Sequence, residues 1–118
     1  PENYYRLADI MIFPSFFEGL SLTTIESQAA GVPVAVSEAI PEEAVISNGC
    51  KRMSLRDGAK IWAQECIQLS EVRVNLTDQS RAYDISRCSQ WLAGWYCQRI
   101  QKYETGERSC PPQNIWQR

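Results

Sequence analysis

The chain has 118 residues, a hydrophobic fraction of 44%, a charged fraction of 22% and a formal net charge of −2. These are globular values over the length of one ordinary domain. The charge balance, with no basic stripe interleaved with aromatics, argues against a nucleic-acid partner, so any nucleotide contact is to a small molecule. No apolar run approaches the ~20 residues that span a bilayer, and no cleavable signal is visible.

A helix is expected over Glu2–Ala8. Asp9 to Phe13 is then a short apolar run closed by Pro14, the pattern of a buried parallel strand. Ser15 to Leu20 carry Gly19 and no periodicity, which makes them a loop. From about Ser21 the spacing of Leu22, Ile25 and Ala29/Ala30 is helical. Gly31 supplies the stop and Pro33 blocks continuation. Val34-Ala35-Val36 is the next buried strand, completing a parallel βαβ unit with a right-handed crossover.

Ser37 to Pro41 form a loop at a strand's carboxyl end, and Glu42 and Glu43 open a short helical piece as partners of its dipole rather than as catalytic acids. Asn48-Gly49 signals a turn, and Cys50 to Met53 a small edge strand. Ser54 to Asp57 lead into a helix whose amphipathic face is Ile61, Trp62, Cys66, Ile67 and Leu69. Val72 to Thr77 are a connection, and Asn75-Leu76-Thr77, a glycosylation-type triplet, is a chance match in a cytoplasmic protein. A last helix starts at Ser80 or Asp84 and carries Ile85, Cys88, Leu92, Trp95/Tyr96, Arg99/Ile100 and Tyr103 on one stripe, read as core packing. Glu104 onward reads as a frayed tail. The five cysteines, at 50, 66, 88, 97 and 110, show no C-x-x-C and read as reduced thiols, with Cys66, Cys88 and Cys97 as small core or boundary residues. Without His or a close Cys pair, no zinc site is expected.

Chemistry concentrates between Pro14 and Val36. Two carboxylates, Glu18 and Glu26, stand there with seven residues between them. In a parallel α/β unit, ligands sit at the carboxyl ends of the strands, against the helix N-terminus. The Glu18–Leu22 segment falls there, and its backbone N–H groups with the helix dipole suit a phosphate. In an unbroken helix the two carboxylates would be ~12 Å apart along the axis. With Glu18 in the loop, they can hold different parts of one elongated polar ligand. Carboxylates repel phosphate, so their partners are hydroxyls, and sugar plus phosphate fits. For Glu18, stabilisation of the helix N-terminus alone remains an alternative. Glu26 could be a solvated helix carboxylate, Gly19 a turn glycine, and Thr23 and Thr24 read as first-turn hydroxyls.

The letters Ala8-Asp9, Phe13-Pro14-Ser15, Glu18-Gly19-Leu20, Glu26 and Gln28-Ala29-Ala30-Gly31-Val32-Pro33 carry a resemblance. This stretch resembles the C-terminal, donor-binding domain of the retaining GT-B-fold glycosyltransferases with the E-x7-E motif (glycosyltransferase family 4, group 1). Met53-Ser54-Leu55, Trp62-Ala63 and Tyr83-Asp84-Ile85 are similar to the tail of bacterial capsular and exopolysaccharide members. The likeness covers roughly residues 3 to 103 and is densest in the first third.

The resemblance implies an α/β fold: a partial Rossmann-like domain with parallel strands and a long C-terminal helix, over 1–103, with the terminal helix about 80–103 and a flexible tail over 104–118. It implies that Glu18, the catalytic-site carboxylate, contacts hydroxyls of the donor sugar. Glu26 would hold the ribose hydroxyls, and the backbone amides of Gly19, Leu20, Ser21 and Leu22 would meet the sugar and pyrophosphate. Neither glutamate is expected to be a general base. The donor is a UDP- or GDP-sugar, bound as substrate without metal or cofactor. The acceptor is a saccharide or lipid-linked oligosaccharide, in the cytoplasm or peripherally at the inner membrane face. Pro1 is not Met and no strand–helix repeats precede the motif strand. The chain is therefore expected to be the C-terminal part of a larger enzyme, inactive without an N-terminal Rossmann-like domain. Part of the last helix could then be an interdomain surface. The alternatives are a non-catalytic nucleotide-sugar-binding module or truncated remnant, and an interaction domain using the Trp-rich last helix. A two-carboxylate glycoside hydrolase fits less well, because the pair sits where phosphate and ribose should lie.

Overall fold

The computed structural model describes residues 2–105. The chain divides into two compact units, the first running to Arg81 and the second beginning at Ala82.

The first unit opens with α1 (Glu2–Tyr5), shorter than the expected Glu2–Ala8. Leu7 and Ala8 turn back instead, their N–H groups bonding the carbonyls of Tyr4 and Tyr5 three residues earlier. Strand β1 (Met11–Phe13) follows, then α2 (Leu22–Ala29), β2 (Val34–Ser37) and β3 (Cys50–Met53). The sheet has the order β1-β2-β3, with both pairings parallel and Met11 opposite Val34 opposite Cys50. Every residue of the central strand β2 is buried. That explains its unbroken apolar sequence, and each fully buried valine is worth ~1.5–3 kcal/mol of transfer free energy before entropy.

Helices cover both faces. Ala35 faces a core of Met53, Trp62, Cys66 and Leu69, with Ile10, Leu55 and Val72 against it. These side chains come largely from α3 (Gly58–Ser70) and the 3-10 turn Leu55–Asp57 before it. On the opposite face Ser27 of α2 donates to the Met11 sulfur at 2.7 Å, which places α2 on the Met11/Val34 side. The amphipathic face predicted for α3 is corrected at two positions. Ile61 and Ile67 are exposed, and the buried stripe is Trp62, Cys66 and Leu69. Trp62 sets that stripe: its indole N–H must find an acceptor when buried, and it donates to the Ser54 carbonyl at 2.9 Å.

α2 ends where the sequence says it should. Gly31, just beyond the C-cap Ala30, has φ +85°, a left-handed conformation that a side chain would strain. Between β2 and β3 lies the 3-10 turn Glu42–Ala44. The connection after α3 is clamped to this region. Thr77 N–H bonds the Ile46 carbonyl at 2.8 Å, and the Asn48 side chain accepts from Asn75 N–H at 2.7 Å. Gly49 allows the approach, since a Cβ there would lie 2.6 Å from a Val74 methyl.

A 3-10 segment, Asp78–Tyr83, precedes α4 (Ile85–Glu104), which runs one residue beyond the expected end. Asp84 caps α4, its carboxylate accepting from Ser86 and Arg87 N–H. The reading of its apolar stripe as core packing is corrected, for no residue of α4 is buried. Cys88 and Cys97 are likewise exposed rather than core or boundary residues. Within the helix Trp95 meets Tyr96 edge-on at 5.1 Å, and the Arg99 guanidinium lies 5.2 Å over the Trp95 ring. The tail predicted from Glu104 falls, beyond Thr105, outside the described residues, as does Cys110. No helix among the described residues is long and apolar enough to cross a membrane.

Candidate donor-binding site

The carboxyl ends of the three parallel strands point one way, and the loop Pro14–Leu20 leaves β1 there and runs into α2. Two serines shape it. Ser37, at the end of β2, donates its hydroxyl to the Ser15 carbonyl at 2.5 Å and so fixes the loop's start to the neighbouring strand. Ser15 in turn donates to the Phe17 carbonyl at 3.0 Å and lies 3.3 Å from a Glu18 carboxylate oxygen. Glu18 is thereby half-buried beside the strand end, while Phe16 and Phe17 stand almost fully exposed.

Gly19 and Leu20 follow in the exposed part of the loop. Gly19 is not among the glycines with positive φ, and a Cβ there would meet nothing within 4 Å. Neither a positive φ nor packing demands glycine at this position of the loop, and a turn glycine and a ligand-facing glycine are both compatible with it.

Ser21 is buried as the N-cap of α2, its hydroxyl accepting from Thr24 N–H at 3.4 Å and from the Thr24 hydroxyl at 2.9 Å. The cap satisfies the third donor of the helix, while the N–H groups of Leu22 and Thr23 precede the first intrahelical bond. Thr24 is consumed by the cap and buried; Leu22, Thr23 and Glu26 are exposed on one face of α2. Glu26 stands one turn in from the helix N-terminus, four residues from Leu22 and three from Thr23. A ligand laid along that face could meet the helix N-terminus and the Glu26 carboxylate together.

Two contacts at the site escape sequence reasoning. The Tyr5 hydroxyl donates to Glu26 Oε2 at 3.0 Å, across 21 residues of sequence. Burial, then the hydrogen bond to Glu26 and its negative charge, push the Tyr5 phenol above its ordinary value of 10.0, so it remains a donor. The Ser37–Ser15 bond is the second, and a serine ending an apolar strand is its only trace in the sequence. The described groups on Glu18 and Glu26 differ, and the two carboxylates lie on separate elements, loop and helix.

Elsewhere the first unit has an open hollow of about 320 Å³ lined by Glu42, Val45, Cys50, Arg52 and Gln79. None of these belongs to the predicted site. Arg52 is engaged there by the Glu42 carboxylate at 3.3 Å and the Glu38 carbonyl at 2.8 Å. Among the described residues no three His, Cys, Asp or Glu side chains gather as a metal site would require.

Over 60 residues, half of this chain, the sequence is 35% identical to the protein named Putative glycosyltransferase EpsF of Bacillus subtilis (strain 168). The matched stretch is 16% of that relative's length. No solved structure matches at the same stringency. The family model of Glycosyl transferases group 1 matches residues 1–71, spanning β1, the Glu18 loop, α2, the Ser37 contact and all of α3. An α/β unit of three parallel strands, with the loop and helix N-terminus at their carboxyl ends, is what a partial Rossmann-like GT-B domain requires, and the chain belongs to the group 1 glycosyl transferases.

Proposed function

We propose that the chain is the donor-binding part of a retaining glycosyltransferase that takes a UDP- or GDP-sugar and serves transfer to an acceptor hydroxyl. The observation that carries this reading is the exposed face of α2. Its N-terminal N–H groups and Glu26 lie along one line, and the Glu18 loop enters at its head. A nucleoside diphosphate sugar has matching chemistry in that order: ribose hydroxyls for Glu26, pyrophosphate for the N–H groups, sugar hydroxyls for Glu18. Gly19, required by neither φ nor packing, leaves space for the sugar to approach the backbone.

Glu18, the catalytic-site carboxylate, orients the donor sugar by accepting from its hydroxyls. Glu26 holds the ribose. Gly19, Leu20, Ser21 and Leu22 offer backbone N–H groups to the sugar and the leaving diphosphate, whose growing charge they stabilise electrostatically. Cations from the rest of the enzyme complete that stabilisation without a metal. The acceptor attacks from the face that the diphosphate leaves, and neither glutamate acts as general base. The acceptor is a saccharide or lipid-linked oligosaccharide in cell-surface or capsular polysaccharide synthesis, met on the cytoplasmic side of the inner membrane and bound chiefly by an N-terminal Rossmann-like domain.

The test is steady-state kinetics of Glu26→Ala and Glu18→Ala in the natural polypeptide that carries this chain. Glu26→Ala is expected to raise donor KM, and Glu18→Ala to lower kcat/KM for the donor. Unchanged donor KM and rate in Glu26→Ala would end this assignment of roles. Donor binding without transfer in the intact polypeptide would instead make it a binding module.

A further inference from the structure

We propose that Tyr5 is a positioning residue for Glu26, its phenol holding the carboxylate in the orientation that accepts from the vicinal diol of a ribonucleotide. The inference rests on the donor-site reading above and adds a residue to it.

Glu26 is exposed on α2, where an unrestrained glutamate samples many rotamers, all but a few unable to meet two adjacent hydroxyls. Tyr5 closes α1 and donates to Oε2 at 3.0 Å. An ionised carboxylate has about four lone-pair sites. One phenol therefore leaves enough for both hydroxyls of a diol while removing most of the side chain's freedom. The phenol keeps its proton across the neutral range, so it remains the donor of this bond. Preorganisation of this kind appears as affinity, because the ligand no longer has to order the side chain.

A tie that merely fastened α1 to α2 would look similar in the structure, and the experiment separates the two. Tyr5→Phe keeps the ring and removes only the hydroxyl. Binding of UDP and GDP, and of their 2′-deoxy counterparts, is measured by calorimetry on the natural polypeptide carrying this chain. The measurement covers the unmodified protein, Tyr5→Phe, Glu26→Ala and the double variant. Tyr5→Phe is expected to weaken the bound ribonucleotide roughly two- to tenfold, with a smaller effect on the 2′-deoxy form and no further loss in the Glu26→Ala background. Donor KM should rise while kcat stays near its original value.

If Glu26→Ala weakens binding and Tyr5→Phe does not, this inference falls and the donor-site reading survives. It falls as well if Tyr5→Phe weakens ribo and deoxy forms equally, adds to Glu26→Ala and lowers the melting temperature, for then the bond is a structural tie. If neither UDP nor GDP binds, or neither variant changes their binding, the donor-site reading falls and takes the inference with it.

Discussion

The side-chain amide of Gln28 accepts the Ile46 N–H at 2.8 Å while fully buried on α2. The same amide accepts from the Ser47 hydroxyl at 3.0 Å and donates to the Thr24 and Ala44 carbonyls at 3.0 and 2.7 Å. One side chain thus binds α2, the helix of the candidate site, to the segment that follows β2. Gln28→Ala would leave the Ala44 carbonyl and the Ile46 N–H without partners in the interior. The expected cost is roughly 3 kcal/mol, from two unsatisfied backbone groups and the lost packing. Chemical denaturation with the midpoint as readout checks it, and a loss under 1 kcal/mol would mean that water replaces the amide.

Ser37 ties the strand to the loop that presents Glu18, through the Ser15 carbonyl. Ser37→Ala should cost only ~1 kcal/mol of stability, the worth of one hydrogen bond. Its larger effect should be on donor KM, because the Glu18 loop loses its fixed starting point. Stability and donor kinetics measured on the same variant give the answer. An unchanged KM would show that the loop holds its shape without the serine.

Gly19→Ala tests the space argument. A Cβ at this position has no neighbour within 4 Å and meets no positive φ, so the fold should be unaffected, with stability altered by less than ~1 kcal/mol. If a donor sugar approaches this backbone, KM for the donor should nonetheless rise severalfold. Melting curves paired with donor titration decide it, and equal binding by both proteins would leave the glycine without a ligand role.

The parts of the fold that could be read from sequence are those written in local chemistry. Pro14, Gly31 and Pro33 punctuate the βαβ unit, and the unbroken Val34–Val36 run announces a strand buried on both faces. The sequence placed Glu18 in the loop and Glu26 on the helix, and the structure has them there. What was not legible depends on partners distant in sequence. The buried stripe of α3 centres on Trp62 because the indole N–H needs the Ser54 carbonyl, which leaves Ile61 and Ile67 outside it. The α4 stripe has core-like letters, but burial requires a partner, and amphipathic spacing does not say whether one is there. The Tyr5–Glu26 bond joins residues 21 apart, and neither residue type signals the other.

Cys50 gives the chain a defined alkaline sensitivity. Burial pushes its thiol from the ordinary 9.0 up to about 11, partly offset by the Arg52 guanidinium beside it. Below pH 9 the thiol is protonated in both folded and unfolded chains, and its contribution is fully present. As the pH rises past 9.0 the unfolded chain loses this proton while the folded chain keeps it, so the unfolded state binds fewer protons and stability falls until about pH 11. Cys50→Ala lacks this contribution, whereas the other tyrosines, lysines and thiols titrate in both proteins and cancel in the difference. The stability gap between unmodified protein and variant should therefore shift against the unmodified protein by on the order of 1 kcal/mol between pH 8 and 11, the full effect being reduced by the partial exposure of the thiol. Denaturant midpoints at pH 8, 9, 10 and 11 measure it. A gap that stays constant across that window would mean the Cys50 thiol ionises as freely in the folded chain as in the unfolded one.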